Sequence, residues 1–184
     1  LTITDSEFIS NGSKGNYNDG LKIESIKGNV TITGNHFEKY YQYVTWFMTY
    51  QEGTYKIANN TYKDCGQTAS SHTGARFGTY KGADDGIVNI TFTHNTVDNS
   101  FSLIRLDANS SRTADTQIVK VNYNKLLTCG ATYYVDNRNA YDIDATNNYY
   151  DVTPVAGKFN HAIWEPYCAN ESDLPEYVEN EEFD

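Results

Sequence analysis

Polar and apolar residues alternate in short runs along the chain, and each run closes on an asparagine. Aligned on that residue, six segments share one register: Leu1-Thr-Ile-Thr-Asp-Ser6, Val30-Thr-Ile-Thr-Gly-Asn35, Tyr55-Lys-Ile-Ala-Asn-Asn60, Ile90-Thr-Phe-Thr-His-Asn95, Val119-Lys-Val-Asn-Tyr-Asn124 and Ile143-Asp-Ala-Thr-Asn-Asn148. Only the first replaces the asparagine, with serine. Positions five and three before the anchor are apolar in every segment, and the position two after it is Phe8, Phe37, Tyr62, Val97, Leu126 or Tyr150. Alternation with period two is the signature of strands, and it places these residues on an inward face.

The anchors recur every 24 to 35 residues, the range of solenoids, in which each repeat buries its apolar face only against its neighbours. The pattern predicts an all-β chain forming a right-handed parallel β-helix of about six coils, with the length variation in loops. An anchor asparagine suits a tight corner because it tolerates left-handed backbone angles, and its amide can bond the equivalent amide one coil away, giving an internal ladder. Ordinary turn asparagines in a β-sandwich are the alternative, but a sandwich does not need one register in all six units.

A second strand follows each anchor: Leu21-Lys-Ile-Glu, Trp46-Phe-Met-Thr, Ala75-Arg-Phe-Gly, Ile104-Arg-Leu-Asp and Tyr133-Tyr-Val-Asp. With Leu21/Ile23, Trp46/Met48, Ala75/Phe77, Ile104/Leu106 and Tyr133/Val135 inward, one outward column reads Lys22, Phe47, Arg76, Arg105, Tyr134. The other reads Glu24, Thr49, Gly78, Asp107, Asp136. Cys65 and Cys129 both lie five past their anchors but two coils apart. At roughly 4.8 Å per coil that is about 10 Å, beyond disulfide reach, so they read as small core thiols with Ser100 between them. The coils are expected over 1–151. Residues 152–184 then form a C-terminal cap, with Phe159, Trp164 and Tyr167 over the last coil, followed by an acidic tail.

Composition narrows the function classes. The 184 residues carry 39% apolar and 14% aromatic side chains, enough for a continuous core. No apolar run approaches the roughly 18 residues that span a bilayer. Leu1 to Thr4 already alternate like a strand, so the chain is expected to start in mid-fold as a fragment or processed product, with N-terminal coils outside it. Its Asn- and Tyr-rich surface suits an extracellular, secreted or cell-surface protein. A net charge of -10 argues against nucleic acid, which needs a basic stripe. Seven of the 24 acids lie between Glu171 and Asp184, where there is no Lys or Arg, and this tail reads as a solvated end.

Three groups of motifs then suggest a family. Leu1-Thr-Ile-Thr-Asp-Ser-Glu-Phe8 is similar to the strand Trp-Ile-Asp-His-Cys-x-Phe of the pectate lyases, calcium-dependent β-helix enzymes. Asp19-Gly-Leu-Lys-Ile-Glu24, Lys27-Gly-Asn-Val-Thr-Ile32 and Asn35-His-Phe-Glu38 resemble that family's Asp-Gly-Leu-x-Asp-Ile-Lys, Val-Thr-Ile-Ser and Asn-x-Phe runs. Asn60-Thr-Tyr-Lys-Asp-Cys-Gly-Gln67 with Arg76-Phe-Gly78 resembles its Asn-x-Phe-x-Asn-x-x-Gln-Arg motif and the Arg-Phe-Gly that follows. The resemblance covers roughly the first half of the chain. It implies calcium held by carboxylates, with Asp19 and Glu38 matching two acids, and β-elimination from a uronate by an arginine, matched by Arg76. Lys22 stands where a second acid falls, Tyr41 at a further acid, and Thr68 in place of the arginine after Gln.

The residues also speak without the family. The column sets Arg76 beside Arg105, and two cations that close repel unless an anion lies between them. Asp107 and Asp136 can be that internal partner. Alternatively Lys22, Arg76 and Arg105 line a groove for an acidic sugar, Arg105 joining Arg76 in catalysis and Phe47, Asp107, Tyr134 and Asp136 contacting substrate. A hydrolase would instead use two carboxylates about 5 to 9.5 Å apart. Exposed rings among Tyr40, Tyr41, Tyr43, Phe47, Tyr133 and Tyr134 suit sugar faces. The expected function is therefore binding, and in one reading cleavage, of an acidic polysaccharide. A non-catalytic adhesin, glycan-binding stalk or fibre segment is the alternative.

Overall fold

Each alternating segment folds as a strand and hands its apolar positions to a common interior. In the computed structural model, which describes residues 1–12, 19–66, 74–81, 86–100, 102–128 and 132–179, the first coil holds β1 (Thr2–Thr4), β2 (Glu7–Ile9) and β3 (Leu21–Ile23). The second holds β4 (Val30–Thr33), β5 (His36–Glu38) and β6 (Thr45–Tyr50), and the third β7 (Gly53–Ala58), β8 (Thr61–Lys63) and β9 (Ala75–Tyr80). The fourth holds β10 (Val88–Thr93), β11 (Thr96–Asp98) and β12 (Ile104–Leu106), and the fifth β13 (Gln117–Asn122), β14 (Lys125–Leu127) and β15 (Val135–Asn137). The sixth holds β16 (Ile143–Asp144), β17 (Tyr149–Tyr150) and β18 (Phe159–Asn160), and β19 (Ala162–Ile163) opens a further turn. Corresponding strands pair in parallel. They build sheet A of seven strands (β1, β4, β7, β10, β13, β16, β19), sheet B of six (β2 to β17) and sheet C of six (β3 to β18). The fold is a right-handed parallel β-helix.

The interior follows the repeat. Val30, Tyr55, Ile90 and Val119 share a register in sheet A. Phe8, Phe37, Tyr62, Val97, Leu126 and Tyr150 do so in sheet B. Phe8, Phe37 and Tyr62 stack at 5.0 and 5.2 Å with nearly parallel planes. Fully buried residues of this size each contribute about 1.5–3 kcal/mol of transfer free energy.

The ladder runs between sheets A and B. Asn35 donates through its backbone N–H and Nδ2 to Asn60 Oδ1, both at 3.0 Å. Asn60 does the same to Asn95, Asn95 to Asn124 and Asn124 to Asn148. The backbone differs from expectation in one respect. The left-handed position is the residue before each anchor, Asp5, Gly34, Asn59, His94, Tyr123 and Asn147, with φ between 48° and 70°. The anchor side chain does the bonding, and its predecessor makes the corner.

Cys65 follows a second left-handed corner at Asp64 (φ 54°) and is buried. Its N–H donates to Ser100 Oγ at 3.1 Å, the equivalence expected from the repeat, while Cys129 and the loop from Thr68 to Thr73, with His72, lie outside the described residues. Burial pushes the Cys65 thiol up to about 12. A thiol held this far from ionisation is inert. Iodoacetamide at pH 8 is expected to leave Cys65 unmodified in the native chain and to alkylate it in urea, by peptide mass spectrometry. Native-state labelling at the rate of the more accessible Cys168 would show that the corner opens.

Coils continue past Asp151, where the sequence pattern stops. The bridge of Tyr149 with Cys168 puts Tyr167 at the register of the next anchor, so β18 and β19 are held by backbone pairing without the asparagine. Phe159, Trp164 and Tyr167 stack over this end as expected, at 4.9 and 5.9 Å. The acidic tail is more than a solvated end. Up to Glu179 it runs back along the corner of sheets A and B, with Leu174 and Tyr177 half-buried. No helix among the described residues is long and apolar enough to cross a membrane.

Candidate functional site

Sheet C presents the only outward columns in which the sequence reading gathered several charges, and the observed register fixes their members. Lys22 pairs with Trp46, Trp46 with Arg76, Arg76 with Arg105, Arg105 with Asp136 and Asp136 with Asn160. Two expected members are thereby corrected. Phe47 points inward, fully buried, its ring 4.6 Å from Phe77, and Trp46 takes the outward place. Tyr134 precedes its strand and is buried, stacked 5.4 Å from Tyr150 with Lys158 Nζ 5.5 Å above its ring. Asp136 stands there instead, opposite Arg105 rather than Asp107.

Arg76 and Arg105 are adjacent, as the repeat predicted, and one carboxylate lies between them. Arg76 donates from Nε and Nη2 to Asp107 Oδ2 at 3.0 and 2.6 Å, and Arg105 Nε donates to Asp107 Oδ1 at 2.8 Å. Asp136, only 2% exposed, accepts from Arg138 Nε at 2.9 Å and Asn160 Nδ2 at 3.2 Å, and lies 4.0 Å from Arg105 Nε. Arg105 itself is 7% exposed. The terminal Nη1 of Arg76 and both Nη atoms of Arg105 have no acceptor among the described residues.

Aromatic rings hold the rest of the column. The Arg76 guanidinium lies 4.5 Å from the Tyr43 ring centre and 4.9 Å from that of Trp46, and Lys22 Nζ is 5.2 Å from Trp46. These rings position cations, each contact contributing ~0.5–1 kcal/mol at a surface. Asp19 enters from the segment before β3, its Oδ1 accepting the Tyr43 N–H at 3.3 Å. Burial raises its carboxyl above the ordinary range, against the lowering pull of that N–H and of the charges on Lys22 and Arg76. The face thus sets Lys22, Arg76, Arg105 and Arg138 against Asp19, Asp107, Asp136 and the exposed Glu24, a balanced set of charges on a chain of net charge -10.

Glu38 is elsewhere. It ends β5 in sheet B, where hydrogen bonds from Lys39, at 2.5 Å, and from His36, at 3.2 Å, lower its carboxyl pKa. Asp19 and Glu38 are not gathered with other acids, and among the described residues no group of three or more His, Cys, Asp or Glu could hold a metal ion.

Arg138 and Asn160 escaped the sequence reading. A signal for Arg138 was present: Asp136-x-Arg138 repeats the same-face spacing of Arg105-x-Asp107 with the charges exchanged. Asn160 follows the last full sequence repeat and carried none. No family model, curated protein or solved structure matches the chain.

Proposed function

We propose that the chain binds an acidic polysaccharide along the outer face of sheet C, the polymer crossing the strands. One observation carries this: Asp107 secures Arg76 and Arg105 on neighbouring rungs, while Nη1 of Arg76 and both Nη atoms of Arg105 have no acceptor among the described residues. A planar guanidinium fork matches a carboxylate. Lys22 to Asp136 spans four rungs, about 19 Å at roughly 4.8 Å each, enough for several sugar units. Binding rather than β-elimination is favoured because the Arg76 guanidinium is already engaged by Asp107 and lies against two rings. The β-helix then presents a glycan-binding face, as in the adhesin or stalk alternative, and its natural setting is extracellular.

The test is titration with polygalacturonate and a neutral glucan, by calorimetry, alongside ultraviolet detection of unsaturated products with calcium present. Selective binding to the uronate polymer is expected, weakening steeply with salt. Arg76→Ala and Arg138→Ala should each reduce affinity about tenfold or more, the loss of one charge-assisted contact. Equal binding to the glucan, or no effect of either substitution, would sink the proposal. Unsaturated product abolished in Arg76→Ala would replace it with a lyase.

A further inference from the structure

The C-terminal segment occupies a corner that the glycan face does not use. After Asn170, whose side chain and that of Asp173 cap a short turn over Glu171–Asp173, the chain crosses back over the third to fifth coils without joining any sheet. Lys125 Nζ donates to Glu171 Oε1 at 2.5 Å, and Lys56 Nζ donates to the Glu179 carbonyl at 2.9 Å while lying 5.6 Å from the Tyr177 ring. Tyr177 sets its ring 5.6 Å from His94, which in turn lies 5.4 Å from Tyr123.

His94 and Tyr123 bring aromatic rings to their places. They are the corner residues before Asn95 and Asn124, at φ 54° and 59°. Asp5, Gly34, Asn59 and Asn147 fill the equivalent corners, and Gly, Asn, Asp and His are the residues that adopt that conformation most readily. A bulky residue such as Tyr123 is disfavoured there, because its Cβ crowds the following carbonyl oxygen. Two successive corners carry rings, and Tyr177 lies against the His94 ring of that pair. Charge follows the same division. The seat has Lys56 and Lys125, whereas residues 171–184 contain seven acids and no Lys or Arg. An open pocket of about 540 Å³ lies beside the strap and corner, lined among others by His94, Tyr123, Lys125 and Tyr177.

We propose that this corner is a recognition surface for an acidic peptide segment bearing an aromatic side chain, and that residues 171–179 are its displaceable internal occupant. Lys56 and Lys125 engage the acidic ends of such a segment, and the His94–Tyr123 pair takes its ring. The tether keeps the internal strap at an effective concentration in the millimolar range. An external segment therefore binds well only when the strap is weakened.

The full-length double variant Glu171→Gln/Tyr177→Ala, which loosens the strap without shortening the chain, is titrated with a fluorescein-labelled peptide of residues 169–180 and followed by anisotropy. Binding at least tenfold tighter than to the unaltered chain is expected. It should weaken about tenfold when the peptide carries Tyr177→Ala or the protein also carries Lys125→Ala, and should fall with salt. Equal binding to the altered and unaltered chains, or none to either, overturns the proposal. Hydrogen exchange on the unaltered chain is an independent check. The amides of 174–179 should exchange well before those of β10 and β13, faster in high salt, and exchange only with global unfolding overturns it too.

Discussion

Replacing Asn95 by alanine is expected to lower the stability of the solenoid by about 2 kcal/mol, because a buried backbone N–H then loses its acceptor, at roughly 1–3 kcal/mol, and a buried carbonyl loses one donor. Asn95 is fully buried, and its Oδ1 accepts both the backbone N–H and Nδ2 of Asn60. Alanine leaves the Asn60 N–H without that acceptor, whereas Asn60 Nδ2 keeps the Ile32 carbonyl. The Ile57 carbonyl loses one donor, at 3.0 Å, and keeps its place in the β7–β10 ladder. Urea denaturation followed by circular dichroism measures the shift. Asn35→Ala, one rung from the end, should lose less, since the bond it loses runs to the part-buried Ser6 N–H. Asn95→Asp adds a sign test. The carboxylate would face Asn124 Oδ1 in a buried site, so its folded pKa lies above its unfolded value. The penalty therefore grows as pH rises through about 4, the ordinary Asp range, and vanishes below it. A loss under about 1 kcal/mol for Asn95→Ala would mean that the rungs are not a connected network.

The ladder was legible because the anchor spacing within each unit is constant: two residues separate Asn from the ring of sheet B, and three and five from the apolar pair of sheet A. Between anchor and third strand the loops differ in length, so counting fails there, and the alternation has to set the phase. It does so at Ala75-Arg-Phe77 and Ile104-Arg-Leu106, where one polar residue lies between two apolar ones. That is why Arg76 beside Arg105, and Asp107 between them, could be read from the sequence. It fails at Thr45-Trp-Phe-Met-Thr-Tyr50, where three large apolar residues are contiguous and either phase buries some of them. Pairing with Ile23 and Phe77 selects Phe47 for the interior, and Trp46 is acceptable outside because Lys22 and Arg76 lie over its ring. Tyr133-Tyr-Val135 fails similarly by two residues. The strap was invisible for a different reason: its partners Lys56, His94, Tyr123 and Lys125 are scattered over three coils, and only the stacking of coils brings them to one corner.

Asp107→Asn should separate the two roles of the charged face, lowering stability by about 2 kcal/mol while strengthening polyuronate binding several-fold. The stability estimate lies between the ~0–1 kcal/mol of an exposed ion pair and the ~3–5 kcal/mol for breaking a buried one, since Asp107 is 23% exposed and Arg105 only 9% by side chain. With the carboxylate gone, two guanidiniums remain on rungs about 4.8 Å apart. Asp136 at 4.0 Å then gives Arg105 partial compensation and Arg76 none through the bonds seen here. High salt should recover part of the loss by screening the repulsion. In the double variant with Arg76→Gln the two losses should fall short of additivity by about 1 kcal/mol, the coupling of neighbours in one network. Binding moves the other way because an acidic polymer competes with Asp107 for the same donors. Removing the competitor leaves Arg76 and Arg105 to the ligand, and calorimetry on the folded variant reads this directly. If Asp107→Asn instead weakens binding as severely as Arg76→Ala, then Asp107 orients the guanidiniums, and the aim of their terminal N–H groups matters more to the polymer than the charge of the face.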